Sequence, residues 1–426
     1  MAAVSGVTRH RNFANAAAGV IAAISGKAAA AQDIFIASPP DVAGKRPQPA
    51  YDAKGFDFHG VKLLPRIDSG VRLDSNVLSS GVDAQSDGVA FLSANADIRY
   101  VRPRHAVQLS LSADANRYFD ITQQNRNNYA ASLSALGLIG PSTTYAARAA
   151  FRDQEAARGT VENDLGFGAP LERKTADFAV GFSHDFGGFG LRNEATFSKV
   201  DYSDIETAQG DIDQDFRDRN TVSNSTTASI DASERLSFLV NGTISKNDFT
   251  NEEAGVSRDS QSVSAGAGFA YNLTELISSS VIVGYRKTTF DDDSFSDFDG
   301  VSIAASVDWH PTPLISVSIN SGQEILTSAF SQVDAITVTR SSATVDYELL
   351  RNFIVTGMMS YARENFENLN ATAERYEAQI GGDYKLNRHL ALGVRASYAD
   401  RSLSPTAAPG QNFERYTLAF KLSVMA

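Results

Sequence analysis

The sequence has no cysteine, a single tryptophan in 426 residues, and no uninterrupted apolar run long enough to cross a bilayer as a helix. Without thiols there is no disulfide scaffold, no thiolate nucleophile and no Cys-ligated zinc or iron–sulfur site. Cations are also in short supply, with Lys and Arg totalling 38 against 50 acids. Nucleic-acid binding needs a surplus of Lys and Arg on some face to neutralise phosphates, so that class is excluded. Any crossing of a membrane must be made by strands.

Three stretches differ in texture. Arg9 and Arg11 precede a small apolar stretch from Phe13 to Ile24, and Ala29-Ala30-Ala31 offers a small-residue cleavage site before Gln32. Residues 1–31 therefore read as an export signal. Residues 32–60 carry Pro39, Pro40, Pro47 and Pro49 among charged and small residues, which restrict the backbone without supplying a core, and read as a periplasmic leader. From residue 61 to 426 the chain is uniform: apolar residues fall on alternate positions of Ser-, Ala-, Gly- and Thr-rich segments. Ala90, Leu92, Ala94, Ala96, Ile98 and Tyr100 share one face, against Ser93, Asn95, Asp97 and Arg99 on the other. Tyr416, Leu418, Phe420, Leu422 and Val424 repeat the pattern at the C-terminus.

The connections alternate too. Eight short turns are separated by nine longer polar connections, which predicts about 18 antiparallel strands (16–18), with the first entering and the last ending on the short-turn side. The expected fold is all-β, a transmembrane antiparallel up-and-down β-barrel of a diderm outer membrane. Tyr100, Phe186, Tyr271, Trp309, Tyr347 and Tyr384 flank the short turns as an aromatic girdle would. Phe151, Phe197, Tyr285, Phe290, Tyr361 and Tyr376 lie near the long-loop ends.

Catalytic patterns are missing: no H-E-x-x-H or G-x-S-x-G occurs, and none of the six histidines is placed with a Ser and an acid on the long-loop side. No enzyme activity, cofactor or metal is expected. Asp211, Asp213 and Asp215 alternate as a calcium loop begins, but Val222 stands where a bidentate Glu is required. Asp291, Asp292, Asp293, Asp297 and Asp299 form a second acidic cluster, read as a solvated outer surface. Parity places Arg66, Asp68, Arg72, Asp97, Arg99, Asp114, Arg148, Arg152, Arg192, Glu194, Arg286, Arg340, Asp346, Arg375, Glu377, Asp383, Arg395, Arg415 and Lys421 on the inward face. With both signs interspersed, this lining suits hydrated neutral or mixed-charge material.

At the start of the barrel, Leu63-Leu64-Pro65-Arg66 runs into Gly70-Val71-Arg72-Leu73-Asp74-Ser75-Asn76-Val77. This opening strand resembles the putative β-barrel porin 2 family, and the general layout resembles that family over residues 60–426. One departure is the ending Val424-Met425-Ala426, where a terminal Phe or Trp is common in such proteins. The resemblance implies an outer-membrane barrel associated with exopolysaccharide export, with secreted polysaccharide and periplasmic export proteins as partners beside outer-membrane lipid and lipopolysaccharide. The expected function is a passive polar conduit; a general solute porin and a non-conducting surface scaffold or adhesin are the alternatives.

Overall fold

The computed structural model describes residues 43, 46–163, 168–207, 210–251, 256–326, 333–405 and 410–426. The export signal read at residues 1–31 lies outside them. The elements are strands, with two single-turn 3₁₀ segments, Thr122–Gln124 and Asp215–Arg217. In chain order the strands are β1 (Phe56–Phe58), β2 (Val61–Asp74), β3 (Asp87–Arg102), β4 (His105–Tyr118), β5 (Arg126–Leu138), β6 (Thr143–Glu155), β7 (Glu172–Asp185), β8 (Phe189–Tyr202), β9 (Arg219–Asp231) and β10 (Leu236–Phe249). They continue as β11 (Ser260–Thr274), β12 (Ile277–Phe290), β13 (Phe298–Thr312), β14 (Ile315–Leu326), β15 (Ile336–Leu350), β16 (Phe353–Phe366), β17 (Ala371–Lys385), β18 (Leu390–Ser404) and β19 (Phe413–Met425).

From β2 onward each strand pairs antiparallel with the next, and β19 returns to β2 from Thr417↔Asp74 to Met425↔Arg66. The result is a closed barrel of 18 strands, with no free edge to leave backbone groups unpaired in lipid. A 14-residue strand extends ~46 Å and, tilted by about 40°, spans ~35 Å, enough for the apolar belt and both polar borders.

Side-chain alternation places the apolar row outside. Ile67, Val71 and Leu73 of β2, Phe178, Val180 and Phe182 of β7, and Tyr416, Phe420 and Leu422 of β19 are all exposed on the outer wall. Tyr100, Trp309, Tyr347 and Tyr384 stand on this wall near the short turns, Tyr271 is half-buried there, and Phe186 lies in a turn beside Phe189. Phe290 departs from the expected position near the outer rim: it shares the inward face of β12 with Arg286 and Thr288 and packs on Phe295 and Phe298. Its even position on β12 sets that direction, opposite to exposed Val283 and Tyr285.

Two features depart from the alternating layout. The connection between β16 and β17, expected to be long, has only four residues, 367–370. The Pro-rich leader is not a free linker either. β1 forms a hairpin with β2, and the Gly55 N–H donates to the Ala426 carbonyl at 2.8 Å. Just inside the short-turn rim, Arg46 pairs with buried Glu348 at 2.6 Å, Lys385 with Asp52 at 2.7 Å, and Arg388 donates to the Pro49 carbonyl. These charge-assisted bonds hold a segment whose composition could not hold itself.

At the seam, a Cβ on Gly70 would lie 2.0 Å from the Phe420 carbonyl and 2.6 Å from the Phe91 ring. Gly70→Val is therefore expected to cost about 1–3 kcal/mol by overpacking. Urea unfolding of the barrel in lipid vesicles checks this, and an unchanged midpoint contradicts the packing account.

Candidate functional site

The lumen is shaped by the connection between β6 and β7, residues 156–171, here called L3. Val161 packs in one cluster with Ile336 and Val338 of β15, Phe366 of β16, Ala373 of β17 and Leu403 of β18. The next residue, Glu162, accepts hydrogen bonds from Arg173 of β7 and from the Tyr202 hydroxyl of β8 at 3.0 Å. β8 and β17 are nine strands apart in an 18-strand ring, so adjacent L3 residues touch opposite walls. L3 therefore spans the mouth instead of lying over it.

Local chemistry fixes that path. Ala156 and Leu171, at the two ends of the loop, bury with Val200, Tyr202 and Ile205. Arg158 turns back on its own loop and donates to the Gly168 carbonyl at 2.7 Å and to Gln124 Oε1 at 2.9 Å. Gly159 has φ +71°, and a Cβ there would strike the Phe413 ring at 2.4 Å, so the loop passes this point only as glycine.

The neighbouring loops lock against one another. Arg217 is fully buried, donates to Gln214 Oε1 at 2.8 Å and lies 3.9 Å over the Tyr202 ring. Arg258 donates to the Val333 carbonyl at 3.0 Å between the rings of Phe216 and Phe295. Exposed Asp204, Asp213 and Asp215 come together in the loop after β8, whereas Asp211 is not part of that group.

Below L3 the inward faces carry charge, and most acids there are engaged. Along single strands, Arg66 meets Asp68 at 2.8 Å, Arg99 meets Asp97 at 3.2 Å, and Arg192 meets Glu194 at 3.5 Å. Between strands, Arg340 meets Glu324 at 3.0 Å, Lys421 meets Asp383 at 2.8 Å, and Arg152 binds Asp177. Asp114 accepts from Ser93. Arg148 lies beside Arg152, facing Asp177 and Glu194. Asp74 receives both arms of Arg415 and leaves Arg72 4.0 Å away. Neither Arg286 nor Arg395 has a carboxylate within 4.0 Å among the described residues.

These pairings leave a cationic cleft under L3. A cavity of about 210 Å³ is lined by Arg72, Arg158, Arg375, Arg415, Phe413 and one acid, Glu377, which Arg375 already binds. It shares Arg72, Ser397 and Thr417 with a second cavity of about 400 Å³ that holds Arg395, Lys421, Asp114 and Asp383. Nε and Nη2 of Arg72 are buried with no hydrogen-bond partner. A buried, unused guanidinium edge is costly unless something accepts from it. A third cavity of about 310 Å³, lined by β9–β14 with Thr221, Ser223, Asn241, Thr243 and Ser262, contains two basic residues, Arg219 and Arg286, beside the acids Glu324 and Asp334.

Sequence parity alone could group Arg72, Arg375, Arg395 and Arg415 as inward residues, but not single out the cleft. It missed Arg158, whose contribution depends on L3 turning inward. The apolar residues of this connection, Val161, Leu165, Phe167 and Leu171, were the available signal.

A closed 18-strand barrel with an apolar outer belt, short turns on one rim and a loop folded into the lumen defines a porin-like outer-membrane β-barrel. A family model described as "Putative beta-barrel porin 2" matches residues 48–424, and the chain belongs to that family, in the outer membrane of Gram-negative bacteria. No curated protein matches it. Solved structures of similar fold include Pseudomonas aeruginosa OpdK with vanillate (9% identity, TM-score 0.44, covering 85% of this chain and 99% of that one). Another is Acinetobacter baumannii OccAB3 (10%, 0.43, 87% and 100%), and a third is P. aeruginosa OccK2 in complex with glucuronate (9%, 0.42, 87% and 99%).

The loop joining Asp215–Arg217 to β9 offers a pH test. Burial pushes the Asp218 carboxyl up to about 6, helped by repulsion from Asp201 and Asp215 and opposed by the Tyr202 N–H and Lys199. The folded loop thus binds a proton more readily than an opened one, so lowering pH through about 6 stabilises it, with the gain complete near the ordinary carboxylate value. Hydrogen exchange at the Tyr202 amide, corrected for intrinsic rate, should slow between pH 7 and pH 5; acceleration or constancy contradicts the assignment.

Proposed function

We propose that the protein is a passive outer-membrane channel that favours small anionic solutes, and that residues 1–31 direct its export. The supporting observation is the cleft under L3, where Arg72, Arg158, Arg375 and Arg415 converge while the nearby carboxylates are already bound. In a narrow, low-dielectric passage such an excess of guanidinium groups over carboxylates, with the buried edge of Arg72 unused, attracts anions far more than in open water. No bond is made or broken; the channel works by lowering the energy of an anion at its narrowest level.

Planar-bilayer recording tests this. Under a KCl gradient the reversal potential should indicate anion preference, weakening between 0.1 and 1 M salt as the screening length falls from about 10 to 3 Å. Arg72→Gln with Arg395→Gln should lower the anion-to-cation permeability ratio roughly fivefold, the factor carried by ~1 kcal/mol of Coulomb attraction. Cation preference overturns the proposal, and absence of current from an intact barrel favours the scaffold reading.

Export of a polysaccharide, which the family resemblance implies, is the second reading. The bridging of both walls by Val161 and Glu162 weighs against passage of a hydrated polymer with L3 in place. A deletion strain that loses secreted polysaccharide would favour export; unchanged secretion would remove it.

A further inference from the structure

Closure gives every strand of the ring two neighbours, but one pair of neighbours parts before its end. The ladder between β13 and β14 stops at Ala305↔Ser321. On their other sides both strands stay paired much further, β13 with β12 as far as Phe298↔Thr288 and β14 with β15 as far as Leu326↔Ile336. Residues 298–304 and 322–326 therefore face one another without pairing. The other ladders of the ring all reach the long-loop end of at least one strand or come within three residues of it. The cavity of about 310 Å³ runs along both parted edges, lined by residues 302–304 of β13 and 323–326 of β14. Alternate side chains of a strand point to opposite faces, so successive residues share one cavity only where the edge itself is open to it.

The gap lies within the membrane. Ile303 stands six residues from Trp309, ~16 Å along the membrane normal at the usual strand tilt, in the outer half of an apolar belt ~25 Å tall. Its lipid-facing lips differ. Val301 and Ile303 of β13 are apolar and exposed, whereas Ser321 and Gln323 of β14, on the same face as exposed Ile319, bond Ser341 at 2.9 Å and the Thr339 hydroxyl at 3.2 Å. Inside, Arg286 of β12 lines the cavity beside the gap. Its register partner is Gly300, where a Cβ would meet nothing within 4 Å. Arg286 has no hydrogen bond or ion pair among the described residues. The two acids of the cavity are engaged elsewhere, Glu324 with Arg340 at 3.0 Å and Asp334 with the Ser296 N–H at 3.3 Å. A parted sheet edge facing hydrocarbon is costly unless an amphipathic group fills it.

We propose that the gap between β13 and β14 is a lateral passage joining the lumen to the outer leaflet, and that its ligand is an alkyl carboxylate held by Arg286, with the chain leaving between Ile303 and Ile325. A guanidinium with no acid of its own takes a carboxylate through two parallel bonds. The chain then stays in hydrocarbon while the head stays among the hydroxyls of the lumen, so neither end is transferred to the wrong solvent. The site is separate from the cleft under L3: β12 is eight strands from β2 around the ring.

Photolabelling of the full-length protein in phosphatidylcholine vesicles tests the passage, with a dodecanoate carrying a mid-chain diazirine as probe. Peptides holding residues 298–304 and 322–326 should be labelled most strongly. Excess dodecanoate should compete, whereas dodecanol, which lacks the charge, and butyrate, which lacks the chain, should not. Arg286→Gln should reduce this labelling roughly tenfold, on the scale of one lost charge-assisted bond, and Arg286→Lys should retain most of it. Labelling of the belt at Phe178 and Phe182 serves as the internal reference and should not change. Bridging Val301→Cys to Ile325→Cys with a short bismaleimide should abolish the competed labelling. Folding of each variant is checked by heat-dependent migration in SDS. Competition by dodecanol or butyrate, undiminished labelling in folded Arg286→Gln or in the bridged protein, or a second copy of the chain cross-linked across the gap overturns the proposal. The measurement needs no current, so it stands apart from the ion preference of the channel.

Discussion

A peptide group in hydrocarbon has no water to bond, and the structure follows from that constraint. Every N–H and C=O along the strands needs a partner in the sheet, and closure from β19 to β2 supplies the last ones. Closure also inverts the usual arrangement of a globular protein. The large apolar residues face outward, while the buried apolar clusters are small and gather mainly where loops meet the mouth. The lumen is free to be polar because stability does not depend on filling it with oil.

That freedom explains the charge pattern. Ion pairs two residues apart on one strand, such as Arg66 with Asp68 and Arg192 with Glu194, join side chains that already point the same way. They neutralise most of the wall at little cost in ordering. The remainder collects around Arg72 because Arg415 takes both oxygens of Asp74, and it is this remainder on which the proposed anion preference rests. A bidentate guanidinium–carboxylate pair is the stronger competitor, and its neighbour is left available.

The strands were legible in the sequence because period two is a local property: Leu92 and Asp97 declare their faces without reference to the rest of the fold. Even the strand number followed, since short and long connections alternate. The mouth was not legible. Val161 gains its meaning from β15–β18, far along the chain, and Arg158 from Gln124 and Gly168. Composition described residues 32–60 as a leader because nothing nearby could bury them; Glu348 and Lys385, the partners of Arg46 and Asp52, are about three hundred residues away. The four-residue connection at 367–370 was also hidden, because Ala371 and Ala373 continue the strand through residues too small to mark a face.

The seat of that N-terminal segment has a consequence for assembly. Ser316, Glu348, Lys385 and Arg388, which hold Ala43, Arg46, Asp52 and Pro49, belong to β14, β15, β17 and the turn after it. None of these docking groups is in place until the last third of the chain has been laid into the wall. Arg46, Pro49 and Asp52 are thus among the last to settle, and their docking reports a finished cylinder.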